Sequence, residues 1–133
     1  MTRILLIDDD ALLRVTMVAT LSAEGHVVVE AGNGVDGITE ARRHRPDLVI
    51  VDMIMPDQDG IETLIRLRAT YPHLPVLAIG GGRARSLDFL ALAASMGATA
   101  TLPKPFEPPA LVEIVDRCLA TPAPARRAHA AVA

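Results

Sequence analysis

Asp8, Asp9 and Asp10 follow directly on the apolar run Ile4-Leu5-Leu6-Ile7, and Asp52 closes a second run, Leu48-Val49-Ile50-Val51. Carboxylates packed together repel one another unless something positive joins them. A hard cation with oxygen ligands, Mg²⁺ above all, is the natural guest. Lys104, after a later apolar segment, adds an ammonium. Three carboxylates and one lysine around a cation outline a phosphoryl-transfer site. The metal joins nucleophile to phosphate, and the lysine neutralises charge on the phosphoryl oxygens. An aspartate can itself be the nucleophile and form an acyl phosphate.

For these groups to meet, the elements carrying them must end at one edge. Strand and helix signals alternate five times. Strands are expected at about 3–8, 26–31, 47–52, 75–80 and 98–102, and helices at about 11–23, 34–44, 59–70, 85–96 and 107–120. Strands separated by helices need right-handed crossovers, which gives a doubly wound parallel α/β sheet with helices on both faces. In such sheets ligands collect beyond the carboxyl ends of the strands. Asp10 and Asn33 are suited to cap the first and second helices, and Gly25 to stop the first. Asp57 and Asp59, in the turn after Pro56, are expected to cap the third. Leu111, Ile114, Val115, Cys118 and Leu119 recur on one face of the last helix, with Pro108 and Pro109 tolerated in its first turn.

The 133 residues suit one domain at about 1–120, and the Ala/Pro/Arg-rich segment 121–133 is expected to be a disordered tail. Arg126 and Arg127 there could touch an acidic partner, although a solvated end is the simpler expectation. A net charge of −3 gives no general reason to expect nucleic-acid binding. No apolar stretch approaches the roughly 18–20 residues of a membrane span, and no signal-peptide pattern opens the chain. A single cysteine, Cys118, excludes an internal disulfide and fits a reducing cytoplasm. Its place on the apolar helix face makes it a buried structural thiol. His26, His44, His73 and His129 show no ligand spacing, and Met53 and Met55 are expected to pack the loop.

The segments RILLIDDD (3–10), DLVIVDMIMPDQDG (47–60), PVLAIGGG (75–82) and LPKPF (102–106) fall at the ends of the first, third, fourth and fifth expected strands. Over roughly residues 3–120 the chain resembles the receiver domain of two-component response regulators, of the stand-alone type. The resemblance implies a flavodoxin-like sheet with strand order 2-1-3-4-5. It implies that Asp52 accepts a phosphoryl group from a histidine kinase or phosphotransfer protein. Asp9 would bind Mg²⁺ directly, Asp8 directly or through a water, and Asp52 and the Ile54 carbonyl would complete the protein ligands. Lys104 would pair with the phosphoryl group, the Lys104–Pro105 bond would be cis, and Gly60 would permit the turn after the site. Such a domain is no enzyme toward an outside substrate; it catalyses only its own phosphorylation and dephosphorylation. It signals through protein contacts, with the fourth helix, fifth strand and fifth helix as the docking face and no direct role for nucleic acid or membrane.

Two positions depart from the pattern. Gly80 stands where receivers usually carry Ser or Thr, and Thr101 where many carry an aromatic ring. No Ser or Thr lies between Pro75 and Arg85, so no shift of register restores the hydroxyl. Neither Ile54 nor Gly82 offers a side chain able to orient an attacking water, which implies slow loss of phosphate. The alternative is a pseudo-receiver, an interaction module whose surface no longer follows phosphate. A haloacid-dehalogenase-type phosphatase fits poorly, since Leu12 follows Asp8-x-Asp10 where a hydroxyl or small branched residue is expected. A flavodoxin-like carrier fits no better, because three acids would repel the flavin phosphate.

Overall fold

The computed structural model describes residues 2–56, 60–81 and 84–120, with the backbone alone for 84–88. Asp57, Asp59, Gly82, the side chain of Ser86 and the segment 121–133 lie outside the described residues. In chain order the elements are β1 (Arg3–Ile7), α1 (Ala11–Ala23), β2 (Val27–Ala31), α2 (Gly34–His44) and β3 (Leu48–Asp52). They continue with α3 (Gly60–Thr70), β4 (Val76–Gly81), α4 (Ala84–Ser95), β5 (Ala100–Lys104) and α5 (Pro108–Ala120). The strands form one parallel sheet in the order β2-β1-β3-β4-β5.

Side-chain alternation along the central strands builds two cores. Leu5, Ile7, Val49, Val51, Val76 and Ala78 face α2, α3 and α4, meeting Ala41, Leu64, Leu67, Leu90 and Ala93. Ile4, Leu6, Leu48, Ile50, Leu77 and Ile79 face α1 and α5, meeting Met17, Leu21, Leu111, Val115 and Cys118. Both faces of β1, β3 and β4 are thus covered, which explains their unbroken aliphatic runs. Met53 and Met55 pack into the first core, as the sequence suggests. Cys118 is buried, and burial pushes its thiol up to about 11, so it stays neutral at physiological pH.

The expected caps of α1 and α2 are present. Asp10 accepts the Leu13 N–H at 3.1 Å, and Asn33 accepts the Asp36 N–H at 2.8 Å. Gly25, at φ +89°, lies just past α1 in a conformation that suits glycine.

The expected end of β5 needs correction: the strand runs two residues further, through Pro103 to Lys104. Pro103 is tolerated because β5 pairs only with β4, and an edge strand has a side where the missing N–H goes unused. The strand also begins later than expected. The Thr99 hydroxyl oxygen accepts the Val76 N–H at 3.0 Å, standing in for a main-chain acceptor.

At the opposite edge from the acids, Arg68 ties α3 to the turn between α4 and β5. Its guanidinium donates to the carbonyls of Tyr71, Pro72, Leu74 and Gly97, the last at 2.7 and 3.1 Å. These are helix-end and loop acceptors with few alternatives inside the protein. Lysine has no planar fork to reach them together. Arg68→Lys is expected to lower unfolding free energy by about 1–3 kcal/mol in a urea titration. An unchanged midpoint would show that water satisfies those carbonyls equally well.

Candidate functional site

The register of the parallel sheet brings the carboxyl ends of β1, β3 and β5 to one edge. Asp8 lies one residue beyond β1, and its N–H still donates to Ala31 of β2 at 3.1 Å. Asp52 ends β3 and Lys104 ends β5. Asp8 is fully buried and Asp52 nearly so, whereas Asp9 is exposed on the turn into α1. One carboxylate oxygen from each of Asp8, Asp9 and Asp52 lies within 4.8 Å of the others. The Lys104 ammonium bridges the two buried acids, 3.0 Å from Asp8 Oδ2 and 3.2 Å from Asp52 Oδ2.

The remaining oxygens are oriented by the main chain. Asp8 Oδ1 accepts the Asp10 N–H at 2.9 Å, and Asp52 Oδ1 accepts the Ile54 N–H at 3.0 Å. Each buried carboxylate therefore holds one oxygen on a backbone amide and one on the ammonium. Gly60 abuts this region: a Cβ there would collide with the Asp52 carbonyl and with Met53. Only glycine lets α3 start so near the end of β3.

Burial pushes the Asp52 carboxyl up to about 6; the Ile54 N–H opposes that rise, the Asp8 charge adds to it, and Lys104 opposes it. Burial pulls the Lys104 ammonium down, but the charges and hydrogen bonds of Asp52 and Asp8 outweigh it and leave its pKa raised. The donor set is all hard oxygen, it is crowded, and one ammonium cannot neutralise it. Those properties fit a small divalent cation. Asp10, by contrast, serves as the α1 cap.

The other expected positions fall as follows. The Lys104–Pro105 peptide is cis. Ile54 is 44% exposed beside Asp52. Gly80 is buried in β4 opposite Pro103, and Thr101 is partly buried in β5 opposite Ala78. Leu90 of α4 packs over Gly80, where an added Cβ would sit 3.5 Å from it. His44 pairs with Glu40 at 3.0 Å, away from the acids.

Sequence reasoning missed Arg14. Its guanidinium donates to the Asp8 carbonyl and pairs with Glu30 at 3.2 Å. Its position four residues after Asp10, on the first turn of α1, was the available signal.

A five-stranded parallel sheet of this order, with acids at two central strand ends and a lysine at the edge strand's end, defines a doubly wound α/β domain with an acidic site at the carboxyl edge of its sheet. The response regulator receiver domain family matches residues 4–116, and the chain belongs to that family. It is 38% identical over 115 residues to the response regulator MprA of Mycobacterium leprae, which covers 86% of this chain and 48% of MprA. The chain thus spans about half the length of the curated relatives it matches. The receiver domain of NtrX from Brucella abortus superposes with a TM-score of 0.85 at 28% identity, covering 90% of this chain and 99% of that one. A CheY-like receiver domain protein from Methanospirillum hungatei gives 0.83 at 27% identity, covering 90% and 94%.

The raised Asp52 pKa has a sign that can be checked. A carboxyl that titrates near 6 when folded and near 3.8 when unfolded binds its proton more tightly in the folded state. Its ionisation therefore opposes folding above pH 6, and the penalty disappears as pH falls through 6 toward 4. In metal-free buffer at pH 7, Asp52→Asn is expected to be more stable than wild type by on the order of 2 kcal/mol. The gap should close toward pH 4, and millimolar Mg²⁺ should narrow it at pH 7. A pH-independent gap, followed by thermal unfolding, would contradict this electrostatic account.

Proposed function

We propose that Asp52 accepts a phosphoryl group from a histidine kinase or phosphotransfer protein, with Mg²⁺ as cofactor, and that the domain signals onward by protein contact. The observation that carries this reading is the Lys104 ammonium, 3.0 Å from Asp8 and 3.2 Å from Asp52. Such a lysine is poised to exchange carboxylate for phosphoryl oxygens. Asp8, Asp9, Asp52 and the Ile54 carbonyl would hold the cation. When bound, it supplies positive charge between the nucleophile and the phosphoryl oxygens.

In the transfer, an Asp52 carboxylate oxygen forms a bond to phosphorus as the phosphorus–nitrogen bond of the donor phosphohistidine breaks. The electron pair leaves with the imidazole, which then takes a proton from water. Lys104 stays protonated, as its raised pKa requires, and neutralises the new phosphoryl group. Leu12 and Val15 of α1, 78% and 65% exposed, supply an apolar shelf beside the Asp8–Asp10 turn where a donor protein can dock. The face of α4, β5 and α5 is the proposed output surface, working in a reducing cytoplasm that suits the lone buried thiol.

Incubation with Mg²⁺ and a small acyl phosphate is expected to add the mass of one phosphoryl group. The same treatment should leave Asp52→Asn unchanged. An unmodified wild type would refute the proposal.

Leu90 packing over Gly80 favours a second reading in which phosphate is accepted but the surface barely responds. The space around Gly80 allows a direct test. A Cβ there meets Leu90 at 3.5 and 3.6 Å and Met53 at 3.9 Å, which is ordinary contact. Gly80→Ser is therefore expected to fold as wild type does. A hydrogen bond from its hydroxyl to the charged phosphoryl group, at roughly 1.5–3 kcal/mol, would bias a two-state surface about ten- to hundredfold. Amide shift changes on phosphorylation should then spread further across α4, β5 and α5 than in wild type. An equal spread in both proteins would show that Gly80 does not limit the switch.

A further inference from the structure

We infer that Arg14 is a positioning residue for the cation site, holding the Asp8 peptide so that the carboxylates of Asp8 and Asp9 face Asp52; this rests on the cation reading of those acids. The Asp8 peptide group is gripped on both sides. Its N–H donates to the Ala31 carbonyl of β2 at 3.1 Å, and its carbonyl accepts from Arg14. The Asp10 N–H then closes the turn onto Asp8 Oδ1 at 2.9 Å. Arg14 is itself anchored, since its main-chain N–H donates to the Asp10 carbonyl at 3.0 Å and its Nε reaches Glu30 at 3.2 Å. Gly32 lines the guanidinium, with room for an ordinary contact at 3.6 Å. The turn that carries two ligand residues is therefore locked to β2 and α1 by one side chain.

Arg14 reaches the site through the carbonyl of Asp8 rather than through a carboxylate oxygen of the proposed ligands, and it acts through the peptide of Asp8. Groups that orient the ligands of a metal contribute substantially to its affinity. The sign of the effect separates this role from simple electrostatics. Deleting a positive charge near a cation site strengthens cation binding if charge alone matters. Deleting a support weakens it.

The test is a Mg²⁺ titration of the folded, unphosphorylated protein, followed by the amide shifts of Asp9 and Ile54 at a temperature where every variant is native. Arg14→Ala is expected to bind about tenfold more weakly. Arg14→Lys keeps the charge and is expected to recover part of the loss. Glu30→Asp keeps the charge and only shortens the anchor, so charge alone predicts no change and a lost support should weaken binding about threefold; it also serves if Arg14→Ala fails to fold. Unchanged or tighter Mg²⁺ binding in Arg14→Ala and Glu30→Asp would overturn this inference alone. A wild type with no saturable response would overturn the cation reading and this inference with it.

Discussion

Two buried carboxylates from different strands cannot sit side by side in a protein interior unless something compensates them, and here one ammonium is placed between them. Asp8 and Asp52 share Lys104, and each keeps its second oxygen on a main-chain amide. Desolvation would otherwise neutralise or expel such groups. The arrangement requires β1, β3 and β5 to end at one level, although β4 lies between β3 and β5. It also requires both faces of the sheet to be sealed, which the two aliphatic cores achieve. The site is thus a consequence of the sheet order rather than an addition to it.

This dependence explains what was legible in the sequence. Apolar runs of four ending in acids disclosed β1 and β3, because a strand buried on both faces has no polar alternation to blur it. The caps at Asp10 and Asn33 were equally legible, since capping is a local matter of one side chain and one amide. The convergence of Asp8, Asp9, Asp52 and Lys104 followed from topology once five alternations were recognised. Less legible was β5: Pro103 reads as a breaker, and only its edge position makes it harmless. Arg14 and Arg68 were missed for a different reason. Both act through backbone carbonyls, and an acceptor present in every residue leaves no pattern in the sequence.

Gly80 shows how a substitution can leave the chemistry standing while changing its consequences. An added Cβ at Gly80 would meet Leu90 and Met53 first, so on the proposed reading acceptance of phosphate rests on the acids and Lys104. What changes is the wall of the pocket, where Leu90 of α4 meets the β4 backbone directly. An apolar contact has no preference for a charged neighbour over an uncharged one, whereas a hydroxyl does. Under the proposed function, any response of α4 to phosphate would have to come from charge and backbone contacts, since a ligand shifts an equilibrium only by its differential affinity for the two states.

Charge counting at the edge supplies the last link. Three carboxylates against one ammonium leave two negative charges, the amount a divalent cation cancels. Arg14 does not alter that count, since its guanidinium is paired with Glu30. Burial first, and the Asp8 charge after it, raise the pKa of Asp52, a carboxylate held in surroundings that disfavour its charge. If Asp52 is the phosphoacceptor proposed above, such a carboxylate gains from any positive partner, and an incoming phosphoryl group would bring more negative charge still. Lys104 and the cation would then have to act together, because neither alone balances both the acids and the phosphate.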